Sequence, residues 1–153
     1  MPRVKRLCVA LLVATGLTVA AGAQEFKAGD LVIGHPWSRP TAAGMPMGVA
    51  YLSITNNGKT EDALIAARSP AAARVEMHET TFSDGMARMR PLQQIVIGPG
   101  KSVAIAPGGI HLMLVDLKSP LAAGTSVPLV LQFRSAGEII VQLKVEQADV
   151  SQP

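Results

Sequence analysis

Apolar residues in this chain do not recur at helical spacing. They come in short runs that alternate with polar residues or are apolar throughout, and each run ends in Gly, Pro, Asn or a charged turn. The runs are DLVIGHPWSR (30–39), GVAYLSITNN (48–57), DALIAARS (62–69), ARVEMHETTF (73–82) and GMARMRPL (85–92). They continue with QQIVIG (93–98), SVAIAP (102–107), IHLMLVDL (110–117), TSVPLVLQFRS (125–135) and EIIVQLKVEQ (138–147). TNNGKT, SDGM, GPGK, PGG and SAGE between them are turn signals. SPAAAR (69–74) could close a short helical turn, but no segment has the pattern of an amphipathic helix of normal length. Many short strands at roughly ten-residue spacing predict an all-β, antiparallel sandwich or barrel. No repeat, low-complexity tract or linker interrupts them, and the tail ADVSQP (148–153) is expected to fray.

The ends change the composition. MPRVKR is a basic opening, LCVALLVATGLTVAA an apolar run too short for a comfortable membrane span, and AGA a small-residue cleavage box before Gln24. Residues 1–23 therefore read as a secretory signal peptide cut at Ala23–Gln24. The expected product is a periplasmic domain of residues 24–153 with no membrane anchor. Cys8 lies inside the apolar run without a lipobox, so lipid attachment is not expected. Arg3, Lys5 and Arg6 leave with the signal, so the basic count falls from 14 to 11 against 11 acids. A formally neutral domain with no basic patch and few aromatics argues against nucleic acid. The one cysteine leaves too, which excludes a disulfide framework and thiolate chemistry. The remaining 130 residues suit one compact domain.

The chemistry starts in GGIHLMLVDL (108–117). Side chains two apart on a strand share a face, so His111 and Met113 project together, away from Ile110, Leu112 and Leu114. A second pair stands in ARVEMHETTFSDGMARMRPL, which predicts a hairpin turning at Asp84–Gly85. Its arms carry His78 and Met89 at similar distances from the turn, so the two are expected to face each other. Two imidazoles and two thioethers make a soft, neutral donor set that suits Cu(I). Zinc structural sites want thiolates, calcium wants clustered carboxylates, and a blue-copper centre wants a cysteine.

The full spacing is His78-x10-Met89-x21-His111-x-Met113. It resembles the signature of the periplasmic PCu(A)C copper chaperones. VEMHET, GMARMRPL, IVIGPGKSVAIAPGGIHLMLVDL and PWSRPTAAGMPMGVAYLSITNNG are similar to that family along nearly the whole mature chain. The resemblance implies a cupredoxin-like Greek-key β-sandwich that binds Cu(I) through His78, Met89, His111 and Met113. It also implies delivery to the CuA centre of cytochrome c oxidase, with oxidase subunit II or a Sco-type protein as recipient. The His- and Met-rich C-terminal extension of some members is missing here, which leaves no basis for a second copper site of that kind. A monomer is expected.

Other residues receive plainer readings. Met77 alternates with His78 and is expected in the core. Met86 is expected as a solvated thioether beside the turn. Met45 and Met47 are expected to pack in a loop, or else to assist capture. His35 reads as structural or surface, and Trp37 as an anchor. Glu76 and Glu79 could each orient an imidazole or simply be solvated. Asp116 shares the parity of Leu112 and Leu114 and suggests no role. No nucleophile elbow or paired-carboxylate cleft is visible, and no helix follows GPGK, so the chain is read as non-enzymatic. Two other classes stay open: a copper-buffering protein with the same site, and a non-metal Ig-like binding sandwich whose His and Met merely pack.

Imidazole must be neutral to ligate a metal, whereas thioethers do not titrate. Copper affinity is thus expected to weaken as pH falls through about 6.5, where a free imidazole protonates. An affinity flat from neutral to strongly acid pH, measured by chelator competition, would contradict imidazole ligation.

Overall fold

The computed structural model describes residues 25–147, so the signal-peptide reading of 1–23 and the fraying expected at 148–153 lie outside the described residues. The described chain is all strand: β1 (Glu25–Ala28), β2 (Leu31–Ser38), β3 (Met47–Asn56), β4 (Asp62–Arg68), β5 (Ala72–Ser83) and β6 (Met86–Pro91), followed by β7 (Ile95–Ile97), β8 (Ser102–Ile105), β9 (Ile110–Leu117), β10 (Ser126–Phe133) and β11 (Gly137–Val145). Each apolar run of the sequence becomes one of the strands β2 to β11. β1 has no such run, since Phe26 is its one large apolar residue. It forms because the turn at Gly29, with φ +58°, folds it back onto β2. The helical turn considered at 69–74 is absent. Ala72 N–H donates to Ser69 O in a turn, and β5 begins at once.

Hydrogen bonding runs β6-β5-β9-β3-β2-β11-β10-β4-β7. All pairs in that order are antiparallel except β11 with β2, where Lys144 pairs Trp37 in parallel. β3 serves two neighbours in succession: Met47 to Ala50 pair with β9, and Leu52 to Thr55 pair with β8. The strands of this path share one core. Leu31, Ile33, Leu52, Ile54, Leu112 and Leu114 meet Leu64, Leu129, Leu131, Val141 and Leu143 in it. Alternation holds on the strands that carry the candidate site. On β9, Leu112 and Leu114 are fully buried and leave His111 and Met113 on the other face. Truncating either leucine to alanine would cost roughly 2–5 kcal/mol.

The β5–β6 hairpin is as the Asp-Gly dipeptide predicts. Asp84 and Gly85 both have positive φ, +53° and +75°, and Ser83 pairs with Met86 around them. This two-residue primed turn matches the right-handed twist of the strands and sets the register of the arms.

One buried carboxylate ties the opposite end together. Asp62 accepts from Ala63 N and Ser135 N through Oδ1 (2.7 and 2.9 Å) and from Ala136 N through Oδ2 (2.9 Å). It thereby joins the start of β4 to the turn after β10. Burial alone would push this carboxyl up; the three N–H groups and Arg134 together outweigh it and hold it below the ordinary carboxylate range. A carboxyl lowered in the folded state contributes stability above its unfolded value, about 3.9, which is lost as pH falls through the lower folded value. Asp62→Ala is therefore expected to cost about 3 kcal/mol at neutral pH and less in strong acid. Urea unfolding at both pH values checks this, and an equal loss at both would remove the carboxylate from the explanation.

Candidate metal centre

The site is built by the register of β5 against its two neighbours. His78 pairs directly with His111 on β9, and Glu76 pairs with Met113. On the other side, Pro91 pairs with His78 and Met89 with Thr80. Paired residues share a face in an antiparallel sheet, so His78, His111, Met113, Met89, Glu76 and Thr80 all project from one side. The expectation that His78 and Met89 stand directly opposite needs correcting by one step. A two-residue turn at Asp84–Gly85 pairs positions equidistant from it, and His78 is two residues further out than Met89. Met89 is thus the diagonal neighbour of His78. The two thioethers flank the imidazole pair from opposite corners, Met113 along β9 and Met89 from the hairpin arm.

The imidazoles lie 5.9 Å apart between ring centroids, tilted by 32°. His111 is 7% exposed, while Met89 is 54% exposed. His111 Nδ1 sits 3.0 Å from Gly109 O, so that nitrogen carries the proton and Nε2 keeps a free lone pair. His78 is the reverse. Its Nε2 lies 2.9 Å from Glu76 Oε2 and donates there, leaving Nδ1 as the lone-pair nitrogen. That Nδ1 is the only buried side-chain nitrogen or oxygen among the described residues without a hydrogen-bond partner. An unsatisfied buried acceptor costs about 1–3 kcal/mol, so its retention points to an electrophile that it receives.

Glu76 is held in turn. Arg74 Nε donates to it at 2.7 Å and Arg74 Nη1 to Asp116 at 2.9 Å. The bond from Arg74, then that from His78, keep the Glu76 carboxyl below its ordinary value, so it stays an acceptor. These pairs are exposed and add little stability; what they do is fix the orientation of the ring. Asp116 departs from the parity expected of it. Its φ is +55°, which turns it out of the β9 alternation to meet Arg74.

The remaining candidates separate. Met77 is buried and pairs with Leu112 on the core side. Met86 pairs with Ser83 and so projects from the opposite side of the hairpin to Met89. Glu79 points away from the site and binds Arg90. His35, with φ +44°, bonds Glu146 and stacks on Trp37, which packs on Tyr51 with centroids 4.7 Å apart. Met47 pairs with Val115 and shares the face of Met113. The sequence did not single out Gly109 or Arg74 as supports: Gly109, two residues before His111, acts through its backbone oxygen, and Arg74, four residues before His78, acts through Glu76.

Among the described residues no three His, Cys, Asp or Glu side chains gather closely enough to hold a metal. An ion bound at this pair would need the sulfurs. Two neutral imidazole lone pairs with two thioethers fit a soft monovalent cation and offer no anion to a hard one.

Long-range 15N NMR of the histidines checks the arrangement directly. The neutral rings are expected as the Nδ1–H tautomer for His111 and the Nε2–H tautomer for His78. Glu76→Gln is expected to disturb the His78 pattern and leave His111 unchanged; the same tautomer at both rings would refute the assignment.

The family model described as "Putative lipoprotein LpqE-like" matches residues 31–145. Lxx21020 of Leifsonia xyli subsp. xyli is 31% identical over 134 residues, covering 87% of this chain and 80% of that protein. The copper-bound PCuAC domain from PmoF2 superposes with a TM-score of 0.71 at 28% identity, covering 81% of this chain and 98% of that domain. The Cu(I) form of DR1885 from Deinococcus radiodurans shares the fold, with a TM-score of 0.58 at 24% identity over 84% of this chain and 85% of that one. These likenesses agree with the strand order and the common core: this chain belongs to the LpqE-like family and has the cupredoxin-like β-sandwich of the PCuAC domains.

Proposed function

We propose that this protein is an exported copper chaperone that carries Cu(I) on His78, Met89, His111 and Met113 and passes it to a metalloenzyme. The observation that carries the reading is the pair of facing imidazoles with free lone pairs, one of them buried without a partner, bracketed by two thioethers. The copper-bound state of the similar PmoF2 domain supports the choice of metal.

The parts divide the work. His111 and His78 are held by Gly109 O and Glu76, and they present fixed nitrogens that need no reorganisation to ligate. Met113 is half-buried and Met89 is open to solvent. The ion is therefore reachable from solvent, and an incoming ligand can displace donors one at a time, as a closed cage would not allow. All four donors are neutral, so the ion keeps its single charge and no proton need be released when neutral rings bind it. The protein is read as a carrier and not an enzyme, monomeric, acting in the periplasm after signal cleavage. The recipient proposed is the CuA centre of cytochrome c oxidase, reached directly or through a Sco-type protein.

Anaerobic Cu(I) titration of residues 24–153 is expected to give one tight equivalent. His111→Ala and Met113→Ala are each expected to weaken it at least about tenfold, the loss of ~1.4 kcal/mol of donor energy. Variants binding as well as the parent would refute the site. In cells, deletion should lower oxidase activity in a way that added copper restores. Copper sensitivity with normal oxidase would instead make the protein a buffer and overturn delivery.

A further inference from the structure

The site described leaves one exposed thioether on its own face without a part. Met47 opens β3 and pairs with Val115, while Val49 pairs with Met113. Met47 is thus one diagonal step from Met113, as Met89 is one diagonal step from His78. Diagonal neighbours on a sheet stand about 7–8 Å apart at Cα, within reach of long side chains. Met47, Met113, the two imidazoles and Met89 consequently lie on one line running obliquely across four strands, β3, β9, β5 and β6.

The position of Met47 is fixed on both sides. Pro46 O accepts from Leu117 N at 2.9 Å. Gly48 lies so close to Leu121 that a Cβ there would come within 2.9 Å of its Cδ1, which presses this end of β3 against the core. Between these anchors the Met47 side chain is 46% exposed, and burial does not explain a large apolar residue there. The cation nearest in register, Arg74, pairs with Val115 and is held by Glu76 and Asp116. Met45 lies outside the strand, and Met86 projects from the other side of the hairpin.

We propose that Met47 and Met113 form a second, weaker Cu(I) position at the β3 end of this line, through which the ion enters and leaves the four-donor site. The inference rests on the copper reading above. Met113 is shared by the two positions, so an ion arriving at Met47 and Met113 moves inward when the imidazole nitrogens replace the Met47 sulfur. The copper stays Cu(I), and no proton or electron moves, because every donor exchanged is neutral. Two thioethers alone hold Cu(I) less tightly than two thioethers with two imidazoles, as a transient position requires.

The test is an anaerobic Cu(I) titration of protein labelled with 13C at the methionine methyls, followed by NMR to two equivalents. In the parent the Met89 and Met113 methyls are expected to shift together. In His78→Ala/His111→Ala, which lacks the inner nitrogens, Met47 and Met113 are expected to shift together, with Met77 and Met86 unmoved. Met47→Leu is expected to abolish that event in the double variant and, in the otherwise unchanged protein, to slow hand-over to a soluble Cu(I) chelator by roughly tenfold. If Met89 and Met113 shift in the parent while Met47 stays still in the double variant, or Met45 moves in its place, the second position is wrong and the copper reading stands. If neither Met89 nor Met113 moves, the copper reading itself fails and takes this inference with it.

Discussion

The structure depends on the pairing of β5 with β9. Pairs that face the core alternate along that ladder with pairs that face the site. Met77 against Leu112 buries two apolar side chains, and the next pair out is His78 against His111. A slip of β9 by one residue would exchange its faces, driving His111 into the core and Leu112 and Leu114 into water. The hydrophobic core therefore enforces the spacing of the imidazoles. The same energy that folds the sandwich holds two lone-pair nitrogens side by side, and no separate scaffold for the site is needed.

That arrangement has a cost that the surrounding hydrogen bonds direct. Gly109 O and Glu76 each take the proton of one ring, at Nδ1 of His111 and Nε2 of His78. Opposite tautomers leave each ring one nitrogen that can only accept. Two acceptors cannot satisfy each other, and Nδ1 of His78 is buried where water does not reach it. The local shortage is of positive charge. A cation relieves it, and Arg74, the nearest guanidinium by register, is tied outward to Glu76 and Asp116. The chain Asp116–Arg74–Glu76–His78 thus keeps the protein's own cation out of the space while fixing the ring that faces it.

Most of the fold was legible because its runs end in turn chemistry that strands need and helices avoid. The ten apolar runs became strands for that reason, and Asp84–Gly85 could be read as a primed turn because few other dipeptides tolerate positive φ twice. β1 was hidden because its pairing comes from β2 and not from its own pattern. The face of His111 and Met113 followed from parity alone. The step between His78 and Met89 did not, because loop length decides register and a count from the turn that is off by two still looks like opposition. Asp116 broke parity through a left-handed backbone that no nearby glycine announced. The roles of Gly109 O and Arg74 lie in backbone direction and side-chain reach, which composition does not carry.

The division between anchored and loose donors follows from the same geometry. On a flat sheet face only residues on adjacent strands and in the same row meet directly, and here that row holds the two histidines. Every other donor must come in along a strand or across a diagonal, on a flexible thioether. Methionine suits that position: three rotatable bonds and a polarisable sulfur let it reach an ion without a fixed rotamer. Rigid nitrogens at the centre and mobile sulfurs at the margin give a site that can select a soft ion and still release it stepwise. A cysteine in place of either methionine would add charge and tighten the hold, but at the expense of release. The absence of thiolate from residues 24–153 is therefore consistent with a face made for passing an ion on.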